Sequence, residues 1–315
     1  MIPTSFALGW PMSRVVVAGG SGFLGSALLA ALKLREVQTV VLSRSSSPIP
    51  NADEVVVWDA RSLGGWTDAL AGADCVVNLC GSPIDRKWTD EEKRRIVFSR
   101  VEPTRALGHA LSTLNSRPAQ WVNISAIGYY GNLATGLAAE ETPPGDDFLG
   151  QACASWEAAQ TETVPEGVRA CRIRLGVVLG KQAGFLPIVA SLARWFLGGA
   201  AGSGKQWVSW IHLEDAVALV LWVIENRLDG AWNAVAPHPL TNAELMAKVR
   251  RALGRPWCPP APAWLIRTIA GWIGKEGTVI LGGQRVSAEK CLSEGFTFQY
   301  PDAESALDNL LRGGK

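Results

Sequence analysis

Residues 14–25 read Arg-Val-Val-Val-Ala-Gly-Gly-Ser-Gly-Phe-Leu-Gly. The run Arg14–Ala18 is short, rich in valine and without polar alternation, which is typical of a parallel strand buried on both faces. Glycines follow at positions 19, 22 and 25 in the spacing Gly-x-x-Gly-x-x-Gly, and a helical pattern then runs to Leu34. A buried strand, a glycine-rich turn and a helix in this order predict the first unit of an α/β fold.

Similar apolar runs alternate with amphipathic stretches through the first 180 residues. The runs cover residues 14–18, 39–43, 54–57, 75–79, 120–125 and 168–175. Strands that alternate with helices connect through right-handed crossovers and pair in parallel. The predicted fold class is therefore α/β, a doubly wound parallel-sheet Rossmann fold.

The pattern changes after Gly180, where helical segments dominate and proline and glycine interrupt the remainder. We therefore predict two domains. Residues 13–180 form the Rossmann domain, and residues 181–315 form a smaller, mostly helical domain on the substrate side. Some segments of the second domain are expected to return to the sheet.

The composition excludes several classes of protein. Of the 315 residues, 48% are apolar and 19% are charged, and the formal net charge is +1, so disorder and nucleic-acid binding are not expected. No run approaches the roughly 18 apolar residues of a membrane helix. Six cysteines without a Cys-x-x-Cys pair and three scattered histidines predict no metal site, but reduced thiols and a cytoplasmic location.

The first dozen residues, which end at Met12, carry no basic segment ahead of a hydrophobic stretch. They do not match the pattern of a signal peptide. Two interpretations stay open: a frayed extension, or a segment ahead of a true start at Met12.

The glycine-rich turn predicts a phosphate site. A glycine at 19 permits a tight turn, one at 22 lets backbone amides approach a pyrophosphate at the positive end of the helix, and one at 25 lets the helix lie close to the sheet. The residues predicted to contact the cofactor in this turn are Gly19, Ser21, Gly22, Phe23, Leu24 and Gly25.

The end of the second strand predicts which dinucleotide binds. An acidic residue about 20 positions after the glycines would bond a ribose 2′-hydroxyl, but the strand ends in Ser43, Arg44 and Ser45. A guanidinium flanked by hydroxyls suits a 2′-phosphate. We therefore predict NADP (NADPH) as the cofactor rather than NAD.

Further cofactor contacts are expected along the same edge of the sheet. Asp59, just after the third strand, is placed to accept a hydrogen bond from the adenine amino group, or else is an ordinary turn residue. The fourth strand ends in Asn78, Leu79, Cys80 and Gly81, where small residues let the backbone run beside a ligand. Arg100 is expected to reach the cleft from the following helix, or else to form a surface ion pair.

These motifs together resemble the extended short-chain dehydrogenase/reductases, and more closely an atypical branch labelled epimerase family proteins. The resemblance runs from about residue 14 to the end of the chain. The residues that carry it are 19–25, 78–84 with 88, 99–100 with 104, 125–131, 145–149 with 156–157, 174–180, 202–206, 209–212 with 215, 233–237, 283–286 and 295–301. It implies NADP(H) binding and a C-terminal domain of unknown function.

The resemblance also implies a tyrosine and a lysine four residues later on one helix, with a serine at the end of the fifth strand. Ser125 fits the serine by position. The Tyr-x-x-x-Lys pair is absent, since no lysine occurs between Lys93 and Lys181. Anchoring on residues 156–157 places Leu149 and Cys153 where the pair should stand, and neither side chain can replace it.

Two explanations compete for the missing pair. In the first, the proton-transfer group has moved to Tyr129 or Tyr130, which follow Ser125 in a glycine-bounded loop. In the second, catalysis is weak or lost and the protein stores or senses NADP(H). Packing of both tyrosine rings is the simpler alternative to the first explanation.

The second domain is expected to supply the substrate wall. Lys205, in a glycine-rich loop, could bind an anionic group, or else is a solvated lysine. Trp207 could line a planar or apolar pocket or pack in the core. His212 lies in an apolar stretch, which favours a structural histidine over a proton carrier.

The sequence thus supports two hypotheses. The first is an NADP(H)-dependent oxidoreductase or epimerase that acts on a small carbonyl, hydroxyl or nucleotide-sugar-like substrate, as a monomer or homodimer. The second is a catalytically weak or inactive NADP(H)-binding regulator.

Overall fold

A computed structural model describes residues 12–133 and 135–313, so the predicted N-terminal extension lies outside the described residues. The strands, in chain order, are β1 (Arg14–Ala18), β2 (Gln38–Ser43), β3 (Glu54–Val57), β4 (Cys75–Asn78), β5 (Gln120–Ala126), β6 (Arg169–Leu175), β7 (Val177–Leu179), β8 (Trp207–Val208), β9 (Trp210–His212), β10 (Gly230–Ala234) and β11 (Leu240–Thr241). The helices are α1 (Phe23–Leu34), α2 (Asp90–Thr113), α3 (Phe148–Thr163), α4 (Phe185–Arg194), α5 (Leu213–Glu225), α6 (Asn242–Ala252), α7 (Ala263–Trp272), α8 (Thr278–Leu281), α9 (Glu289–Ser293) and α10 (Ala303–Arg312).

The central sheet has seven strands in the order β10-β6-β5-β4-β1-β2-β3, and every pairing in it is parallel. The chain runs outward from β1 to β3 and then returns to β4 on the other side of β1. Ligands bind outside the carboxyl ends of the strands at such a reversal. The predicted doubly wound Rossmann fold is confirmed.

Helix α1 covers the sheet beside β1. Its apolar residues recur at helical spacing, so Leu24, Leu28 and Leu32 lie on one face and are buried in the core. On the other side of the same sheet, α2 and α3 pack against each other. The sheet is therefore covered on both faces, which explains its uniformly apolar strands.

Two elements from beyond residue 180 belong to the sheet and to the helices that cover it. Strand β10 pairs in parallel with β6, with Gly230 opposite Cys171, and α5 packs against α1. A separate apolar core forms among α4, α6 and α10, around Leu186, Leu245 and Leu307. No helix in the described ranges has both the length and the apolarity that crossing a membrane requires.

Candidate functional site

The glycine-rich turn is shaped by close backbone approaches. Gly19 has φ +80°, and a Cβ there would lie 3.1 Å from the backbone N of Cys80. A Cβ at Gly25 would lie 2.5 Å from the carbonyl O of Gly20. Side chains at either position would push the turn away from β4 or α1 away from the turn. The glycines therefore hold the N-terminus of α1 at the carboxyl edge of the sheet.

The other residues of the turn divide between solvent and core. Gly22 precedes α1, and no described side chain caps the helix there, so its first amides are open to a ligand. Ser21 is exposed, whereas Leu24 is buried, so Leu24 can offer only its backbone to a cofactor. The Phe23 ring lies against Gly180, where a Cβ would come within 2.3 Å of it.

An arginine that no described residue pairs with follows the end of β2. Arg44 is exposed and forms no hydrogen bond or ion pair within residues 12–133 and 135–313. Ser45 donates its backbone N–H to Ser43 Oγ over 3.2 Å, which turns the chain after the strand. Burial raises the pKa of the Cys80 thiol to about 12, and the positive charge of Arg44 opposes that rise, so the two residues share one edge.

Asp59 has a local structural role. Its Oδ1 accepts the backbone N–H groups of Arg61 and Ser62, each over 2.9 Å. These bonds, with the Ser62 amide contributing most, lower the pKa of Asp59. The turn-residue alternative accounts for Oδ1, and contact with an adenine stays a prediction.

Asn78 fixes the shape of the chain after β4. Its Nδ2 donates to Thr104 Oγ1 over 3.0 Å and to Asn123 Oδ1 over 2.7 Å, while its Oδ1 accepts from the Cys80 amide over 3.1 Å. Leu79 donates its N–H to the carbonyl of Ala18 over 2.8 Å. The Asn78 side chain therefore acts on a cofactor only by positioning the backbone at residues 79–81.

Arg100 projects from α2 to the same place. A Cβ at Gly81 would lie 3.1 Å from its Cζ, so the glycine leaves room for the guanidinium. The Nη1 donates to the carbonyl of Ile96 over 2.9 Å, and the Nη2 donates to the carbonyl of Ser82 over 3.0 Å. Its Cζ also lies 5.2 Å from the centre of the Trp156 ring.

A cavity of about 880 Å³ opens beside this point. It reaches from the carboxyl ends of β5 and β6 to a roof formed by residues 276–284. The roof is attached through Gln284, whose Nε2 donates to the carbonyl of Ile127 over 2.7 Å. Apolar side chains on its walls include Ile84, Trp88, Leu149, Phe185, Trp207, Val279 and Leu281.

The predicted serine faces away from this cavity. Ser125 is buried, and its Oγ donates to Glu157 Oε1 over 2.7 Å. Glu157 forms a buried ion pair with Arg174, whose Nη2 lies 2.9 Å from Oε2. Because side chains alternate along a strand, the next residue, Ala126, lines the cavity instead, and it has no hydroxyl.

The two predicted tyrosines belong to the same buried network. Tyr130 donates its hydroxyl to Asn233 Oδ1 over 2.6 Å and accepts from Arg174 Nη1 over 2.9 Å. Burial raises the pKa of Tyr130 to about 12, so the phenol is not activated. The ring of Tyr129 lies 3.6 Å below the Arg174 guanidinium. Neither ring lines the cavity, and a catalytic role for either stays a prediction.

Helix α3 presents Leu149 and Cys153, one turn apart, to the cavity. A Cβ at Gly128 would meet both, at 3.6 Å from Leu149 Cβ and 3.7 Å from Cys153 Sγ. Burial raises the pKa of the Cys153 thiol to about 12. This face of α3 therefore carries an alkyl group and a neutral thiol beside the cavity.

The residues predicted on the substrate side lie in different places relative to the cavity. Trp207 lines the cavity, and the Arg285 guanidinium lies 4.8 Å from the centre of its ring. Lys205 is exposed and is not part of the cavity wall. Of the two, only Trp207 is in position to contact a ligand in this cavity.

His212 begins α5 and supports its structure. Its Nδ1 accepts the backbone N–H of Glu214 over 3.1 Å, its Nε2 lies 3.2 Å from Asn309 Oδ1, and its ring stacks on Tyr300 at 3.9 Å. Burial lowers the pKa of His212, so the ring stays neutral. These contacts match the structural alternative.

Sequence reasoning missed the roof and the Glu157–Arg174 pair. The roof lies more than 100 residues from the β5 loop that it contacts, so no local pattern indicates it. Side chains alternate along a strand, so Ser125 and Ala126 point to opposite faces of β5. That alternation could have indicated which of the two faces the cavity. Across residues 12–133 and 135–313, no group of three or more His, Cys, Asp and Glu side chains is placed to hold a metal ion.

A doubly wound parallel sheet with a glycine-rich turn at an open helix N-terminus defines the Rossmann class of α/β proteins. Residues 15–234 match the model of the NAD dependent epimerase/dehydratase family, and residues 261–310 match a domain of unknown function, DUF1731. The chain belongs to the NAD dependent epimerase/dehydratase family. The resemblance drawn from its motifs is confirmed.

Relatives and solved structures extend this result over nearly the whole chain. The chain is 33% identical over 307 residues to the chloroplastic epimerase family protein SDR39U1 homologue of Arabidopsis thaliana, which covers 95% of this chain and 86% of that protein. It superposes with a TM-score of 0.85 on the crystal structure of human epimerase family protein SDR39U1 (isoform2) with NADPH, at 32% identity, covering 95% of this chain and 99% of that one. A nucleoside-diphosphate sugar epimerase from Corynebacterium glutamicum gives a TM-score of 0.78 at 30% identity, covering 96% of this chain and 59% of that one.

Proposed function

We propose that this chain binds NADP(H) along the carboxyl edge of the sheet. The open amides after Gly22 hold the pyrophosphate, and the unpaired Arg44 guanidinium, with Ser43 and Ser45, holds the 2′-phosphate. The backbone approach at Gly19, which a Cβ would block, fits a dinucleotide that passes between β1 and β4. The NADPH in the human relative supports this assignment.

We further propose that the protein is an oxidoreductase or epimerase for a small carbonyl, hydroxyl or nucleotide-sugar-like compound. The observation that carries this proposal is the cavity of about 880 Å³, which adjoins the cofactor edge at the ends of β5 and β6. When bound, the nicotinamide supplies or accepts a hydride at C4. The chain excludes water with Trp88, Phe185 and the roof, and holds the reactive carbon of the substrate against the sheet. A cytoplasmic location is part of this proposal.

A second candidate function follows from a different observation. The hydroxyls of Ser125 and Tyr130 are bonded to Glu157 and Asn233, and α3 offers Leu149, Ala152 and Cys153 to the cavity. A protein with these features can bind NADP(H) and a second ligand without proton transfer, as a sensor of redox state.

The cofactor assignment is tested with Arg44→Ala. Loss of a charge-assisted bond of about 1.5–3 kcal/mol should weaken NADPH binding by about tenfold or more, with little change for NADH, measured by titration calorimetry. Arg194→Ala, which removes an exposed arginine at the end of α4, is the matched control. Equal losses for NADPH and NADH would refute the 2′-phosphate contact.

Turnover separates the two candidate functions. NADPH consumption is followed with a panel of carbonyl compounds and nucleotide sugars, with Ser125→Ala as a comparison variant. An oxidoreductase consumes NADPH with at least one substrate class. An epimerase returns the hydride to its substrate and consumes no NADPH on balance, so interconversion of the nucleotide sugars is followed as well. Tight NADPH binding with neither consumption nor epimerisation across the whole panel supports the sensor and argues against the enzyme.

A further inference from the structure

We propose that the cavity ligand is an amphipathic organic anion, with its acidic head on Arg100 and its apolar body between Trp88 and Trp207. This inference rests on the proposed function, since it names the class of ligand for the same cavity. It also assigns Arg100 to that ligand instead of the dinucleotide, which differs from the expectation drawn from the sequence.

Among residues 12–133 and 135–313, Arg100 has no counter-ion. Its guanidinium lines the cavity, and its hydrogen bonds within these ranges go to the carbonyls of Ile96 and Ser82 and, at 3.4 Å, to Ser99 Oγ. These acceptors are neutral, so they orient the group without balancing its charge. Burial lowers the pKa of Arg100, and the only side chain that acts against this is Cys153, within the described residues.

Cys153 does not supply the missing negative charge. Burial raises the pKa of its thiol to about 12, so it is neutral near pH 7. Arg100 is partly buried. Withdrawing a cation from water without a counter-ion is unfavourable, and a bound anion offsets the lost hydration. The charge on Arg100 therefore favours an anionic ligand over a neutral one.

The two carboxylates on the cavity wall are already occupied. Asp147 accepts the backbone N–H groups of Gly150 and Asn132, each over 2.9 Å. Glu276 accepts from the amides of Trp88 and Thr278, and the positive charge of Lys93 acts on it. Of the other cations on the wall, Lys93 acts on Glu276 and Arg267 is exposed to solvent. Arg100 is the partly buried cation of the wall for which the described residues offer no carboxylate.

The free donors of Arg100 suit a carboxylate. A guanidinium has five N–H donors, and the three hydrogen bonds described use two on Nη1 and one on Nη2. The Nε–H and the second Nη2–H remain, on nitrogens at neighbouring positions of the planar group. Two such donors match the two oxygens of a carboxylate, whereas a neutral amide offers one oxygen.

The remainder of the wall suits an apolar body. Trp88, Phe185 and Trp207 contribute aromatic surface, and Val279 and Leu281 contribute aliphatic surface from the roof. Burial of such surfaces against an apolar ligand removes both from water and stabilises the complex. A ligand with an acidic head and an aryl or alkyl body satisfies both parts of the cavity.

The test compares acids with their amides. Binding of 4-phenylbutanoate and octanoate, and of 4-phenylbutanamide and octanamide, is measured by ligand-observed NMR, with and without NADPH. Each acid should bind at least tenfold more tightly than its amide, and Arg100→Gln should remove that preference. Equal binding of acid and amide to the unaltered protein overturns the inference.

Two further variants complete the design. Arg94→Gln, an exposed arginine on the same helix, should leave the preference intact. If Arg100→Gln does not fold, Arg100→Lys keeps the charge but loses the paired donors, and it should bind the acids at least threefold more weakly. An unchanged affinity in Arg100→Lys, or a tenfold loss of NADPH binding in Arg100→Gln with the acid preference retained, overturns the assignment.

The same measurements distinguish a failure of the proposed function from a failure of this inference. If the protein binds the acids without binding NADPH, the ligand class stands and the dinucleotide assignment is wrong. If it binds NADPH and does not distinguish acids from amides, the dinucleotide assignment stands and the ligand class is wrong.

Discussion

Glu157 shows how one residue can redirect the chemistry of its neighbours. It accepts from Ser125 and holds both Nε and Nη2 of Arg174, each over 2.9 Å. Burial alone would lower the pKa of Arg174, but the bonds and charge of Glu157 outweigh it and the pKa is raised. Ser125, which the sequence places at a catalytic position, is bonded into this network, and its catalytic role stays a prediction.

Removal of this carboxylate should be strongly destabilising. Glu157→Gln leaves the buried Arg174 cation unpaired, and loss of one member of a buried ion pair costs about 3–5 kcal/mol. Urea denaturation should show that loss in the free energy of unfolding. Glu162→Gln, an exposed residue on the same helix, serves as control, and a change below about 1 kcal/mol for Glu157→Gln would contradict the role described.

Helix α5 illustrates how a single element joins the two halves of the molecule. It begins at His212, whose ring accepts the Glu214 amide, and it ends at Glu225, which pairs with Arg35 at the end of α1. Its buried residues contact the sheet. The N-cap role of a histidine needs its neutral ring, because a protonated nitrogen cannot accept the amide.

The stability of the protein should therefore depend on pH through His212. Its folded pKa lies below the ordinary value of about 6.5, so the unfolded chain binds a proton first as the pH falls. Folding stability is lost as the pH falls below about 6.5 towards the folded value, and is fully present above it.

This dependence can be measured with a substitution that keeps the cap. His212→Asn retains an N-cap acceptor but does not titrate, so its unfolding free energy should fall less than that of the unaltered protein between pH 7.5 and 5.5. His109→Asn, on the exposed face of α2, should keep the original slope. Identical slopes for His212→Asn and the unaltered protein would show that another group is responsible.

The whole molecule does not divide cleanly at residue 180. Strand β10 covers the β6 edge of the sheet, and one apolar core includes Leu28 and Leu32 of α1 together with Val220 of α5 and Phe296. The two halves predicted from the change in sequence pattern therefore share one core. The core around Leu186 lies mostly beyond residue 180 and also includes Leu179 of β7.

A fragment that ends at residue 180 should not fold by itself. It would expose the β6 edge and the α1 residues that α5 covers, which is unfavourable for both hydrogen bonding and apolar burial. Urea titration of residues 12–180, followed by near-UV circular dichroism, should show no cooperative transition. A cooperative transition at the midpoint of the full chain would mean that the first half is an independent domain.

The parallel sheet and the glycine-rich turn can be predicted from the residues alone, because both depend on local residue types and on period. Gly19 and Gly25 are recognised by their spacing from a single strand, and the cofactor contact of Arg44 stays a prediction. The absence of the Tyr-Lys pair was also visible, and both Leu149 and Cys153 line the cavity.

Which side chains face the cavity depends instead on long-range packing. The direction of Ser125, the neutral surroundings of Arg100 and the position of the roof depend on contacts between residues far apart in the chain. A local pattern records what a residue can do, whereas burial and the nearest charge determine what it does. Those two quantities exist only after distant segments have packed together.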